Sequence, residues 1–147
     1  MGKNITDEYI GKYLSIARRA HASLLDKKLK PYDICHGQIL LLVTIFKNEG
    51  INQYELCNIY NLDKAGVNRS IKHLKKTGYI TMEPDHNDRR KKKIYLTTKA
   101  KKFKPKLTKI LKTVENQVRK NLEQKEIKNF LQVMKKITDN LGVNLDS

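Results

Sequence analysis

The sequence predicts a mainly α-helical fold with one small β hairpin, and three observations carry the prediction. Apolar residues recur at helical spacing along successive stretches, two short β-prone segments flank a charged turn, and glycine or proline stands at several joints between them. At 147 residues the chain is long enough for one compact unit with a hydrophobic core and leaves little room for a second domain.

The first helix is expected from Ile5 to Leu29, where Ile10, Tyr13, Leu14, Ala17, Ala20, Leu24 and Leu25 form an apolar stripe. Lys30-Pro31 ends it, because proline disfavours helix in the residue before it. His36 to Lys47 contains Ile39-Leu40-Leu41-Leu42-Val43 and Ile45-Phe46, is apolar on nearly every side, and reads as the central buried helix, stopped at Gly50. Gln53 to Tyr60 is a short helix with Leu56, Cys57 and Ile59 turned inward. Asn61-Leu62-Asp63 then makes a turn whose aspartate is suited to cap the next helix by accepting backbone N–H bonds.

That helix, Lys64 to Thr77, places Val67, Ile71 and Leu74 on one stripe, and Gly78 is its natural stop. Tyr79 to Glu83 and Lys93 to Thr97 are the arms of the hairpin, joined by the polar turn Pro84 to Lys92. Thr97 or Thr98 caps a final helical region carrying Phe103, Leu107, Ile110, Leu111, Val114 and Val118, with Pro105 expected to bend it. A second stripe, Ile127, Phe130, Leu131, Met134, Ile137 and Leu141, follows the break at Leu122-Glu123. No internal repeat and no low-complexity linker interrupts the chain.

Charge narrows the function classes. Thirty-one basic residues against fifteen acids leave a formal +16, and fifteen of the basic residues lie between Lys64 and Lys106 beside only Glu83, Asp85 and Asp88, so that segment holds +12 of the total. Localised charge of this kind is the footprint of a polyanion partner, where even spacing would indicate a solvated surface. With no Trp and no aromatics interleaved among those cations, stacking on single-stranded bases has little to work with. No apolar run approaches the eighteen residues of a membrane span, and the first residues carry acids and tyrosines where a signal peptide needs a basic then apolar stretch, so a cytoplasmic location is expected. Cys35 and Cys57 lack metal-binding spacing, and neither a structural metal nor a cofactor is expected. A Gly-rich cofactor loop and a nucleophile-base pair are also missing, which argues against an enzyme and against an RNA-modifying activity.

Helix, three-residue turn, helix and hairpin, in that order, is the arrangement of a winged helix-turn-helix, whose second helix is narrow enough to enter the major groove of double-stranded DNA. On this reading Lys64, Asn68 and Arg69 sit on the half of the helix that reaches deepest. Asn is suited to pair with adenine and Arg with guanine; the alternative is an intrahelical polar pair. Lys72, Lys75 and Lys76 are assigned to phosphates, and Gly66 to a close approach of backbone and DNA, at a helix cost of about 1 kcal/mol relative to alanine. In the hairpin, Arg89 to Lys93 are five consecutive cations at a turn. Arg89, Arg90, Lys91 and Lys92 are assigned to DNA, with Arg90 proposed for the minor groove. Asp88 either starts the turn or holds the Arg90 guanidinium two residues on; the spacing favours the brace.

The runs Gln53-Tyr54-Glu55-Leu56, Asp63-Lys64-Ala65-Gly66-Val67-Asn68-Arg69, Leu74-Lys75-Lys76-Thr77-Gly78-Tyr79-Ile80, Asp85-His86-Asn87-Asp88-Arg89-Arg90 and Leu96-Thr97-Thr98-Lys99-Ala100 resemble the MarR family of bacterial and archaeal transcriptional regulators. The likeness spans about Ile34 to Phe103. It implies a homodimer whose first and last helices pack together, each subunit presenting one recognition helix and one wing to a pseudo-palindromic operator. It also implies a repressor relieved by a small phenolic ligand or by thiol oxidation. Residues 1–147 then form one domain, with 35–103 as the DNA-binding lobe and 1–34 and 104–147 as dimerisation helices. Gly66 and Asn68 stand where members often carry Thr or Ser, so base preference does not transfer, and Ala100 replaces a usual Gly.

Further expectations concern the remaining chemistry. Tyr13, Arg18, His21 and His36 are candidates to line an effector pocket between the dimer helices and the DNA-binding lobe. Cys35 and Cys57 are expected to pack as small apolar residues, since the family's peroxide sensors keep their reactive thiol in the first helix and this first helix has none. The terminal stripes are either intrachain core or the surface of a partner copy, and two long helices in so small a chain favour the partner. An architectural protein that coats DNA with little sequence choice is the alternative to a regulator.

Overall fold

A computed structural model describes residues 8–145; Ile5, expected at the head of the first helix, lies outside the described residues. Helix α1 (Ile10–Leu29) passes through a 3-10 turn, Lys30–Tyr32, that accommodates Pro31. Asp33 follows in the left-handed region with φ 57°. Helices α2 (His36–Lys47), α3 (Gln53–Ile59) and α4 (Lys64–Lys76) lead into strands β1 (Ile80–Pro84) and β2 (Lys92–Leu96), and α5 (Thr98–Val118) and α6 (Gln124–Asn140) complete the chain.

Local chemistry sets these boundaries. Asn52 and Glu55 form a reciprocal capping box on α3, the Asp63 carboxylate accepts the Gly66 N–H at 3.0 Å to start α4, and Thr97 Oγ1 accepts the Ala100 N–H at 3.2 Å to start α5. Gly78 leaves α4 with φ 82°, a backbone state that a side chain resists. The break before α6 turns on Asn121 at φ 62°, and Glu123 and Glu126 then form the capping box. Helix α5 runs without interruption through Pro105, which occupies an exposed position.

The hairpin is antiparallel with Ile80 opposite Leu96, Met82 opposite Ile94 and Pro84 opposite Lys92. A third strip of backbone joins it: Gly50 N–H donates to Ile94 O at 2.8 Å and Ile94 N–H donates to Ile51 O at 2.9 Å. The wing is thereby tied to the chain entering the helix-turn-helix.

One core holds the lobe together. Leu25 and Leu29 of α1 meet Leu42 and Ile45 of α2, Leu56 of α3, Ile71 and Leu74 of α4, Ile80 and Ile94 of the hairpin, and Phe103 and Leu107 of α5. Burial of each large aliphatic side chain contributes about 1.5–3 kcal/mol, so orientation of α4 is inseparable from the core beneath it. Tyr79 is a second tie: it is 1% exposed, its hydroxyl donates to Tyr32 O at 2.7 Å, and its ring lies 5.5 Å from that of Phe103. Burial first, and the nearby Asp33 charge second, push the Tyr79 hydroxyl above its ordinary pKa, so it stays a neutral donor.

The expected apolar stripe of α1 divides in two. Leu25 is buried and Leu14 and Leu24 are half-buried, whereas Ile10 and Tyr13, with Ile16 beside the stripe, are 58–62% exposed on the end of α1 that projects beyond the lobe. Helix α6 has no buried residue, and Phe130, Leu131 and Leu141 of its expected stripe are exposed. Neither surface is intrachain core. Among the described residues no helix is long and apolar enough to cross a membrane.

Candidate nucleic-acid interface

Helix α4 is split lengthwise by burial. Val67, Ile71 and Leu74 are buried, while Lys64, Asn68, Arg69, Lys72, Lys75 and Lys76 are all exposed. Five cations on the exposed face of the helix repel one another, and an anion laid along that face would relieve the repulsion. His73, on the remaining face, shares a 2.8 Å hydrogen bond between its Nε2 and Asp33 O, so the helix is anchored to the α1–α2 connection as well as to the core. Lys99 holds its far end, donating to Thr77 O at 2.6 Å with its ammonium 4.4 Å from the Tyr79 ring centroid.

Gly66 and Arg69 occupy less simple positions than a row of groove contacts. A Cβ at Gly66 would stand 3.4 Å from Asp63 Oδ2 and 3.7 Å from an Arg69 guanidinium nitrogen. The space beside Gly66 therefore accommodates the cap and the Arg69 side chain, which qualifies the expectation of a bare backbone held open for DNA. Arg69 also lines a cleft of about 380 Å³ with Arg18 of α1 and Leu40 of α2.

At the wing tip, Asp85 N–H donates to Lys91 O at 2.8 Å, closing the loop, and Asn87 N–H donates to the Asp85 carboxylate at 2.9 Å. The Asp88 carboxylate accepts the backbone N–H of Arg90 at 3.1 Å, and Asp88 O accepts the Lys91 N–H at 2.9 Å. The expected carboxylate brace on the Arg90 guanidinium is thus corrected. Asp88 shapes the turn, because its short side chain reaches the main chain two residues on more readily than the end of a long arginine. Arg89, Arg90, Lys91 and Lys92 are all exposed.

The four effector candidates do not form one pocket. Arg18 and His21 line a cleft of about 640 Å³ between α1 and α5, with Leu14, Leu24, Gln117 and Val118. Tyr13 is outside its lining, 62% exposed on the projecting end of α1. His36 is engaged elsewhere: its backbone N–H donates to Asp26 Oδ1 at 2.7 Å and its ring Nδ1 lies 2.9 Å from Asp26 Oδ2, joining α1 to the start of α2. The backbone hydrogen bond from His36 is the largest cause holding the Asp26 carboxyl below its ordinary pKa.

Cys35 is likewise corrected. It is exposed as the residue preceding α2, where its N–H donates to Gln38 Oε1 at 3.1 Å, while Cys57 is half-buried against the core as expected. Sequence reasoning missed the positioning role of Lys99 and the 68% exposed Tyr54, which lies with Gln53, Asn58 and Lys64 at the corner of the helix-turn-helix. The signal for Tyr54 was present: it lies outside the inward set Leu56, Cys57 and Ile59 of the same short helix.

Comparison with known proteins agrees with this geometry. Residues 34–92 match the MarR family. The uncharacterised HTH-type transcriptional regulator YybA of Bacillus subtilis strain 168 is 35% identical over 92 residues, which cover 63% of this chain and 61% of that regulator's length. The crystal structure of a MarR-family transcriptional regulator from Listeria monocytogenes complexed with a 26mer DNA superposes with a TM-score of 0.84 at 26% identity, over 91% of this chain and 89% of that one. A MarR transcriptional regulator from Methanosarcina mazei Go1 is similar throughout, with a TM-score of 0.82 and 31% identity over 92% of this chain and 99% of its own. With the helix-turn-helix, the wing and both terminal helices all present in that alignment, the chain belongs to the MarR family of DNA-binding, winged helix-turn-helix transcriptional regulators.

Proposed function

We propose that this chain is a homodimeric, sequence-specific repressor that loses its operator when a small aromatic acid or phenol binds in the cleft between α1 and the end of α5, within its terminal helices. The observation that carries the reading is the pairing, on one rigid lobe, of the exposed cationic face of α4 with the exposed wing tip. Lys64, Asn68 and Arg69 read base edges, Lys72, Lys75 and Lys76 hold phosphates, and Arg90 enters the minor groove beside Arg89, Lys91 and Lys92. Gly66 leaves room for the Asp63 cap and the Arg69 side chain, and Asp88 sets the shape of the wing. The DNA complex of the similar Listeria monocytogenes protein supports this docking.

Dimerisation is supported by the apolar surfaces of α1 and α6, where Ile10, Ile16, Phe130 and Leu131 are exposed among the described residues. Two-fold symmetry then presents two recognition helices to a pseudo-palindromic operator, with half-sites about 34 Å apart. The effector site is the α1–α5 cleft. Leu14, Leu24 and Val118 supply apolar walls, Arg18 supplies the charge for an acid, and His21 supplies a second polar group. An occupant there favours a different angle between lobe and dimer helices, and so a different spacing of the recognition helices.

Footprinting on the DNA flanking the gene, followed by competition binding, tests the reading. A regulator prefers its site by roughly three orders of magnitude or more over unrelated DNA. Absence of preference would establish the architectural alternative, and unchanged operator affinity at saturating aromatic acids would remove the effector.

A further inference from the structure

The basic surface does not end with the recognition helix and the wing. No acid occurs between Asp88 and Glu115, and the first part of α5 carries Lys99, Lys101, Lys102, Lys104, Lys106, Lys109 and Lys112. Helical spacing sorts them into two rows on either side of the buried Ala100, Phe103 and Leu107. One row is engaged within the lobe: Lys101 pairs with Glu49 at 3.8 Å, and Lys104 lies 5.4 Å from the Phe46 ring centroid. The other row, Lys99, Lys102, Lys106 and Lys109, follows i, i+3, i+7 and i+10 spacing, is exposed throughout, and extends about 15 Å along the helix; the Lys99 and Lys106 ammonium groups lie 4.4 and 5.9 Å from the Tyr79 and Tyr32 ring centroids. Lys99, Lys102 and Lys106 line one side of a cleft of about 460 Å³ with Tyr32, Tyr79 and Phe103. No carboxylate lines it among the described residues.

We propose that the row Lys102, Lys106 and Lys109 binds backbone phosphates of duplex DNA outside the operator half-site, extending the footprint up the flank of the lobe. The row is continuous with the groove-contacting surface. It begins at Lys99, whose ammonium is hydrogen bonded to the last turn of the recognition helix at Thr77 O, close in sequence to Lys75 and Lys76, and α5 itself starts directly after the wing strand β2. Duplex leaving the wing meets the row by curving toward the protein. Like charges at i, i+3 and i+4 oppose helix formation, and a line of phosphates cancels that repulsion along the length of the row. The occupant is a repeating polyanion, because Lys109 lies outside the cleft that Lys102 and Lys106 share, and the row runs on for about two helical turns, farther than one small anion reaches.

The proposal rests on the reading of α4 and the wing as the groove-contacting elements, and the test separates the two. Binding of the full-length protein is titrated against salt on two duplexes, one limited to the footprinted half-sites and one extended by about 15 base pairs on each side. At about 0.9 per phosphate neutralised, three additional contacts make the slope of log K against log salt on the extended duplex steeper by about 2–3 for each subunit engaged. The variant Lys102→Gln/Lys106→Gln/Lys109→Gln is expected to retain wild-type affinity on the short duplex and to lose the advantage of the long one. Equal wild-type slopes on both duplexes would overturn the proposal. So would a variant that keeps the full long-duplex advantage, an outcome that would direct the row to an acidic protein partner, or one that weakens equally on both. Failure of the wild type on the short duplex would instead fell the docking of α4 and the wing.

Discussion

Single side chains in this protein divide into those that touch DNA in the proposed complex and those that hold the contacting elements still. Arg90→Ala is expected to weaken operator binding by about 1–3 kcal/mol, read as a roughly fivefold or larger rise in Kd; unchanged affinity would remove the wing from the docking. Lys64→Ala tests the other half of the surface, and Asn68→Ala is expected to relax sequence preference more than affinity in competition with mutated operators. Asp26 belongs to the second class. Its carboxyl lies below the ordinary 3.8 in the folded protein, chiefly through the His36 N–H, so it contributes stability above that value and loses it as pH falls through the lower folded one. Urea midpoints measured from neutral pH downward should therefore fall less steeply in Asp26→Asn than in the wild type below about pH 4. Identical slopes would show that the α1–α2 contact carries no proton-linked stability.

At the scale of elements, the recognition helix depends on its cap, its stop and the core face beneath it. Removing the Asp63 cap by alanine substitution is expected to cost about 1 kcal/mol in chemical denaturation. Gly66→Ala should act in the opposite direction. The added Cβ meets Asp63 and Arg69 at 3.4 Å or more, an ordinary contact, and alanine is favoured over glycine inside a helix by about 0.5–1 kcal/mol. A destabilised Gly66→Ala protein would mean that the Arg69 side chain cannot give way. Most of these elements were legible beforehand, since caps, glycine stops and apolar periodicity are local signals: Asp63, Gly78 and Thr97 act where the sequence places them. Less legible was the choice between two local uses of one side chain. Asp88 binds the Arg90 backbone instead of its guanidinium, an outcome that spacing alone cannot separate.

At the scale of the whole molecule, the exposed apolar faces of α1 and α6 are the surfaces that the proposed dimer would cover. In the proposed dimer, which covers these surfaces, thermal midpoints are expected to rise with protein concentration. Phe130→Asp/Leu131→Asp should yield a monomer by sedimentation that retains lobe structure and binds the paired operator far more weakly than wild type. A variant that stays dimeric would move the interface off this face of α6. The Tyr79, His73 and Lys99 contacts tie α4 at several points to the α1–α2 connection and to α5, so in the proposed mechanism the recognition helix moves as one piece with the lobe.

The winged helix-turn-helix order, the +12 concentrated between Lys64 and Lys106, and the identity of the buried stripe on α4 were determined by the sequence alone, because each depends on near neighbours in the chain. Tertiary structure decided what depends on residues distant in sequence. It separated Arg18 and His21, which share a cleft, from His36, which Asp26 holds, and from Tyr13, which lies on the projecting end of α1. It exposed Cys35, placed Lys99 on the carbonyl of Thr77, and divided the lysines of α5 into a row beside Glu49 and Phe46 and a row along the cleft of Tyr32 and Tyr79. Periodicity defines which side chains share a face; only the packing of one helix against others decides what that face meets.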